Sequence, residues 1–144
     1  MILLVEDNPN DVKLTLHAFK KHNLVDQVHV LRDGAEALDF FFGRDAQAEL
    51  KPRDQPKVIL LDVKLPKVDG LEVLTRLKSD PSTRSIPVVM LTSSREDPDI
   101  SKSYELGANS YIVKPVDFDG FVEAVRQLGL YWLLLNQLPP QLEE

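Results

Sequence analysis

The sequence predicts a doubly wound α/β fold, a five-stranded parallel sheet with helices on both faces. Two patterns predict it. Short apolar runs at Leu3–Val5, Val28–Leu31, Val58–Leu61, Val88–Leu91 and Tyr111–Val113 alternate with longer stretches of helical period. Three of these runs also end in charge: Leu3-Leu4-Val5 in Glu6-Asp7, Val58-Ile59-Leu60-Leu61 in Asp62, and Tyr111-Ile112-Val113 in Lys114-Pro115. Continuous apolar runs suit strands buried on both faces. Parallel strands bring their carboxyl ends to one edge of the sheet, so three carboxylates and one ammonium would share a pocket there.

The elements follow in order. After the first strand, Pro9 suits a first helical turn, and Val12, Leu16 and Phe19 recur at helical spacing, predicting a helix from just beyond Asp7 to about His22. A second helix is expected over Ala35–Phe42. The third begins near Asp69-Gly70, carries Leu71, Leu74 and Leu77 on one face, and stops at Asp80-Pro81. The fourth is predicted over Asp97–Leu106, with Asp97 as cap, Pro98 in the first turn and Gly107 as the left-handed residue past the end. Phe118, Phe121, Val122, Val125 and Leu128 form the stripe of the fifth. The charged, proline-containing stretch Gly43–Lys57 reads as a solvated loop. Leu128–Leu135 is apolar on every side, which calls for cover from the same domain or from a partner helix.

A chain of 144 residues suits one domain, expected over residues 1–128, followed by a C-terminal helical extension and tail over 129–144. No segment has the length and apolarity to span a bilayer. The start Met1–Val5 runs into Glu6 without a basic stretch or a small-residue cleavage site, so no signal peptide is expected and a cytoplasmic location is. A net charge of -6 argues against phosphate-backbone binding, so nucleic acid is not an expected partner and neither is a membrane. The absence of cysteine excludes disulfides, thiolate chemistry and zinc-thiolate sites.

The chemistry lies at the strand ends. Two carboxylates about 4 Å apart at an effective dielectric near 20 repel by roughly 4 kcal/mol, so a fold that gathers three of them calls for a bound cation, a raised pKa, or both. Glu6, Asp7 and Asp62 offer hard oxygen donors, which suit Mg²⁺ better than zinc or copper. Asp7 alone could instead cap the first helix. Thr92 and Ser93 place a hydroxyl and a backbone N–H at the end of the fourth strand, in position for phosphate oxygens, although Thr92–Ser94 read alone is only a turn of small polar residues. Lys114 is either an exposed strand terminus or the counter-charge of the carboxylates, and the pocket favours the second. A cis Lys114–Pro115 bond would aim it inward, an isomer the sequence leaves open. Together these residues specify phosphoryl transfer onto Asp62, with Mg²⁺ neutralising phosphoryl oxygens and Lys114 and Thr92 holding the others. His17, His22 and His29 fit no metal spacing and read as surface or packing residues.

At Leu4-Val5-Glu6-Asp7-Asn8, Leu60-Leu61-Asp62, Leu65-Pro66, Asp69-Gly70, Leu91-Thr92-Ser93, Gly107-Ala108 and Tyr111-Ile112-Val113-Lys114-Pro115 the chain resembles the receiver domain of two-component response regulators over residues 1 to about 128. The resemblance implies a flavodoxin-like sheet of order 2-1-3-4-5. By it, Asp62 is similar to the phosphoacceptor, Glu6 and Asp7 to the acidic metal pair, and the backbone carbonyl of Lys64 to a further metal ligand. Thr92 resembles the switch hydroxyl, Tyr111 the switch aromatic, and Lys114 the phosphate-binding lysine. Tyr111 without the resemblance is a plain core aromatic. Lys64 and Ser94 fall at positions that the family associates with phosphoryl lifetime.

The charged loop after the second helix, with Tyr131-Trp132-Leu133 and Leu138-Pro139, resembles the stand-alone regulators of bacterial and cyanobacterial phytochrome histidine kinases. That narrower likeness implies a phytochrome-type sensor kinase as partner and homodimers formed through the fourth helix, fifth strand and fifth helix. Tyr131, Trp132, Leu134 and Leu135 are the expected interface residues, with Trp132 as anchor. The phosphoryl group either stops at Asp62 or passes on to a phosphotransfer protein. No separate substrate turnover is expected. The rival reading is a Mg²⁺-dependent phosphatase or phosphotransferase with an aspartyl nucleophile, which usually needs a second acid two residues beyond the nucleophile, where this chain has Lys64. A nucleotide-binding module is disfavoured because no glycine-rich phosphate loop is present.

Overall fold

The computed structural model describes residues 1–43 and 55–127. Five strands, β1 (Ile2–Val5), β2 (Val28–Leu31), β3 (Val58–Asp62), β4 (Val88–Thr92) and β5 (Ser110–Val113), form one parallel sheet in the order β2-β1-β3-β4-β5. The predicted fold class and strand order are therefore observed. Among the described residues five α-helices lie between or after them: α1 (Pro9–Lys20), α2 (Gly34–Phe42), α3 (Gly70–Ser79), α4 (Asp99–Glu105) and α5 (Phe118–Gln127).

Period-two alternation sends the central strands' side chains into two separate cores. Leu3, Val5, Ile59, Leu61, Val88 and Met90 pack with Ala37 and Phe41 of α2 and Val73, Leu74 and Leu77 of α3. Ile2, Leu4, Val58, Leu60, Val89, Leu91 and Ile112 face the other way, onto Phe19 of α1 and Phe121, Ala124 and Val125 of α5. A sheet covered on both faces leaves its strand ends as the exposed rim for chemistry. The direction of winding reverses at β1, whose neighbours are β2 and β3, so the crevice beyond its carboxyl end is the topological switch point.

Several boundaries shift from the sequence expectation for local reasons. α1 stops at Lys20 rather than near His22, because Asn23 adopts a left-handed φ of 59° and the amide of buried Leu24 turns back to Phe19 O at 3.0 Å. α2 starts one residue early, at Gly34, where the Asp33 carboxylate accepts from the Glu36 amide at 2.7 Å and Glu36 accepts from the Arg32 amide at 3.2 Å. α4 begins at Asp99 rather than Asp97. The Asp97 carboxylate still accepts from the Asp99 amide at 2.9 Å, so the residue caps from two positions ahead. Gly107 takes the predicted left-handed role at φ 106°. In α5, Ala124 joins Phe121 and Val125 in the buried stripe while Val122 stays half-buried.

The expected loop falls mainly on residues 44–54, outside the described residues. So do Leu128 and the whole extension with Tyr131, Trp132, Leu134 and Leu135. Two histidines fill the packing roles expected of them, His22 stacked on Phe118 at 3.4 Å between ring centroids and His29 tilted against Phe40 at 5.7 Å.

Candidate functional site

Sheet hydrogen bonding runs one residue past the strands and fixes the rim. The Glu6 amide donates to Leu31 O at 3.0 Å, the Val63 amide to Leu91 O at 3.0 Å, and the Lys114 amide to Thr92 O at 2.8 Å. The backbone of each charged strand end is thereby tied to a neighbouring strand. Gly70, the first residue of α3, lies so close under this rim that a Cβ there would meet the Asp62 carbonyl oxygen at 2.0 Å. Only glycine fits. Asp7 does not cap α1: Asn8 does, its Oδ1 accepting from the amides of Asn10 at 2.9 Å and Asp11 at 3.2 Å, with Pro9 at the first helical position. Asp7 is exposed and its carboxylate is left to the pocket.

The predicted acids and lysine do converge. Glu6 and Asp62 are 1% and 2% exposed, and carboxylate oxygens of Glu6, Asp7 and Asp62 all lie within 4.8 Å of one another. Lys114 Nζ donates to Asp62 Oδ2 at 3.0 Å and to Glu6 Oε1 at 3.2 Å, across a Lys114–Pro115 bond that is cis. Asp62 Oδ1 accepts from the Lys64 amide at 3.1 Å, and Glu6 Oε2 from the Asn8 amide at 3.1 Å. Thr92 is buried at the end of β4, with Oγ1 3.1 Å from Ser94 O and 3.0 Å from Asp97 Oδ2. Tyr111 is half-buried, its ring edge-on to Tyr104 at 6.3 Å.

Two participants escaped the sequence reading. Asp11 places Oδ2 3.2 Å from Lys114 Nζ, making it a third carboxylate around that ammonium beside Glu6 and Asp62. It sits in the first turn of α1, where an acid ordinarily reads as a complement to the helix dipole, so no signal separates the two roles. Asp99 binds Lys64 Nζ at 2.8 Å and, with Asp97, connects the rim of β3 to α4. The pair joins residues 35 positions apart, and no local pattern marks it.

Charge crowding leaves its mark on Glu6. Burial, followed by the neighbouring Asp62 carboxylate, raises its pKa from 4.5 to about 7, against the opposing pull of the Asn8 amide and Lys114. Burial works against the Lys114 ammonium, but Asp62, Glu6 and Asp11 outweigh it and push its pKa upward. Lys114 therefore stays charged near neutrality while Glu6 shares a proton with the pocket. A cluster of hard oxygens so buried and crowded that one of them retains a proton fits a hard divalent cation at its solvent-facing side, where Asp7 is exposed.

An open parallel sheet whose switch-point crevice sets clustered carboxylates against one lysine defines a doubly wound α/β domain built to handle an anionic group. The comparisons with known proteins narrow that class. A model of the response regulator receiver domain matches residues 2–126, and the chain belongs to that family and serves phosphorylation-dependent signalling. The response regulator Rcp1 of Synechocystis sp. is 37% identical over 139 residues, which cover 96% of this chain and 92% of that protein. The probable methanogenesis regulatory protein FilR2 of Methanothrix harundinacea is 40% identical over 139 residues, 96% of this chain and 87% of its own length.

Among solved structures, the bacteriophytochrome response regulator RtBRR superposes with a TM-score of 0.81 at 54% identity, covering 96% of this chain and 83% of its own. The Mn(2+)-bound form of Rcp1 gives 0.71 at 34% identity, covering 96% of each chain. The phosphorylated cyanobacterial phytochrome response regulator RcpA gives 0.71 at 36% identity, covering 96% of this chain and 95% of its own. No helix among the described residues is long and apolar enough to cross a membrane.

Proposed function

We propose that Asp62 is the phosphoacceptor and that its donor is a phosphohistidine on a sensor kinase of the phytochrome type. An Asp62 carboxylate oxygen attacks phosphorus, the P–N bond breaks, and the imidazole nitrogen keeps the electron pair; an acyl phosphate on Asp62 results. The observation that carries this reading is the Lys114 ammonium 3.0 Å from Asp62 Oδ2, inside a ring of carboxylates that repel an incoming phosphoryl group unless counter-charge is at hand. Glu6, Asp7, Asp62 and the Lys64 carbonyl would hold Mg²⁺. When bound, the ion supplies positive charge to the crowded oxygens. The Mn(2+)-bound form of Rcp1 and the phosphorylated RcpA support a divalent cation and phosphorylation in this fold.

Lys114 steadies one phosphoryl oxygen and the Thr92 hydroxyl another, and the vacated space lets Tyr111 move inward on β5. The surface so altered is the side of α4, β5 and α5. A cleft of about 470 Å³ lies there, lined by Arg95, Tyr104, Tyr111, Glu123 and Gln127 among others, and supports its use by a partner. A second copy of the chain, contacting through Tyr131, Trp132, Leu134 and Leu135, is the first partner to test, and a downstream phosphotransfer protein the second. The protein works in the cytoplasm and turns over no separate substrate. Incubation with Mg²⁺ and acetyl phosphate should add the mass of one phosphoryl group to the wild type and none to Asp62→Asn. Equal labelling of the two would end this reading, and turnover of a small phosphate ester lost in Asp62→Asn would favour a phosphatase.

A further inference from the structure

The Thr92 hydroxyl is already engaged, and its partners do not belong to Asp62. Its single proton faces Ser94 O at 3.1 Å and Asp97 Oδ2 at 3.0 Å, and of the two the carboxylate is the stronger acceptor. Ser94 O also accepts from the Asp97 amide at 3.2 Å, closing the loop after β4 into a turn that presents Asp97 to Thr92. Asp97 is half-buried, which strengthens the contact, and its other oxygen accepts from the Asp99 amide at 2.9 Å, the first residue of α4. Asp99 in turn binds Lys64 Nζ at 2.8 Å, and the Lys64 amide donates to Asp62 Oδ1. One chain of polar contacts therefore links the switch hydroxyl, the start of α4 and the residue two past the phosphoacceptor. Both of its side-chain ends, a hydroxyl and an ammonium, are donors that phosphoryl oxygens would attract.

We propose that Asp97 is the positioning residue of this switch: it holds the Thr92 hydroxyl against the start of α4, so that a phosphoryl group on Asp62 must take that hydroxyl from a carboxylate. The proposal rests on the assignment of Asp62 and Thr92 made above. Asp97 is not one of the acids gathered around Lys114, and its effect on the phosphoryl group passes through Thr92. Loss of its hold frees the hydroxyl for the phosphoryl oxygens and leaves the cap of α4 weaker. The Lys64–Asp99 pair is a second, more exposed tie on the same helix. Both ties yield to one event, the arrival of about two negative charges at Asp62.

The test measures binding of beryllofluoride, a phosphoryl mimic, by calorimetry with Mg²⁺ present and the full chain in solution. Asp97→Asn, which retains an oxygen for the α4 cap, and Asp97→Ala should each bind about tenfold more tightly than the wild type. In a Thr92→Val background the same substitutions should change affinity less than twofold, because the hydroxyl through which Asp97 acts is gone. Glu96→Gln, an exposed neutralisation next door, should also change it less than twofold. Wild-type affinity in both Asp97 variants, an undiminished gain without the hydroxyl, or an equal gain from Glu96→Gln would each overturn the role of Asp97 and leave the Asp62 assignment standing. Failure of the wild type itself to bind, or equal binding by Asp62→Asn, would overturn both.

Discussion

Glu6 carries the cost of gathering the acids. Its carboxyl is raised in the folded protein from 4.5 to about 7, so the native state keeps a proton that the unfolded chain has already released. Stability from this group is full below pH 4.5 and is lost as pH rises to about 7, the opposite of an acid held in a strong salt bridge. Glu6→Gln removes the penalty. Without divalent metal at pH 8 it should raise stability by about 1 kcal/mol, a figure discounted for solvent at the pocket mouth, or roughly 4 °C in melting temperature. Lys114→Met has the reverse effect, because it strips Glu6, Asp62 and Asp11 of the ammonium within 3.2 Å of each. The loss should be about 2 kcal/mol at pH 8 and shrink toward pH 5.5, where Glu6 takes up a proton and relieves the repulsion. Urea melts at the two pH values check both variants, and a pH-independent loss would contradict the charge account.

At the scale of elements, α1 and α3 aim the site through their first residues. Asn8→Ala leaves the Asn10 and Asp11 amides without their shared acceptor and should cost about 1 kcal/mol. Because Asp11 belongs to that same first turn, the substitution should also slow phosphorylation while Asn8→Asp, a cap of equal quality, restores it. Gly70→Ala acts from beneath: with the Asp62 carbonyl 2.0 Å from the new methyl group, either β3 or α3 must shift. Loss of phosphorylation together with lowered stability is the expected outcome, measured by mass and by thermal melting. Charged strand ends, Pro9 in the first turn of α1 and the glycine past α4 were legible in the sequence because each is a local rule, whereas Pro98, expected in the first turn of the fourth helix, is its N-cap. Asn8 as the true cap, and the late start of α4, were not. Both depend on competition between neighbours for one carboxylate: Asp7 turns to the pocket and Asp97 is shared between Thr92 and Asp99.

For the whole molecule, the sheet gathers the charges of the site, and a bound divalent cation would offset them. Burial on both faces holds the central strands β1, β3 and β4 in register, and the strand order places Glu6, Asp62, Thr92 and Lys114 on one rim although they come from four separate strand ends. That convergence was legible because buried parallel strands read as unbroken apolar runs. Asp11, the third acid at Lys114, was not, since it arrives on a helix whose tilt no pattern encodes. The fold thus holds an acidic cluster with one lysine against several carboxylates, and bound Mg²⁺ would supply the missing positive charge. Such binding would displace the proton on Glu6. At pH 7 calorimetry in buffers of different ionisation enthalpy should register release of about half a proton per ion, falling toward zero by pH 8.5. Affinity should weaken as pH drops below 7 for the same reason. At a hundredfold excess over its dissociation constant the ion should stabilise the protein by about 2.7 kcal/mol, some 8–10 °C, and chelation should reverse the shift. In Glu6→Gln the proton release should vanish and the thermal gain shrink to a small remainder. Undiminished proton release in that variant would mean that another carboxyl holds the proton, and that the charge deficit lies elsewhere in the pocket.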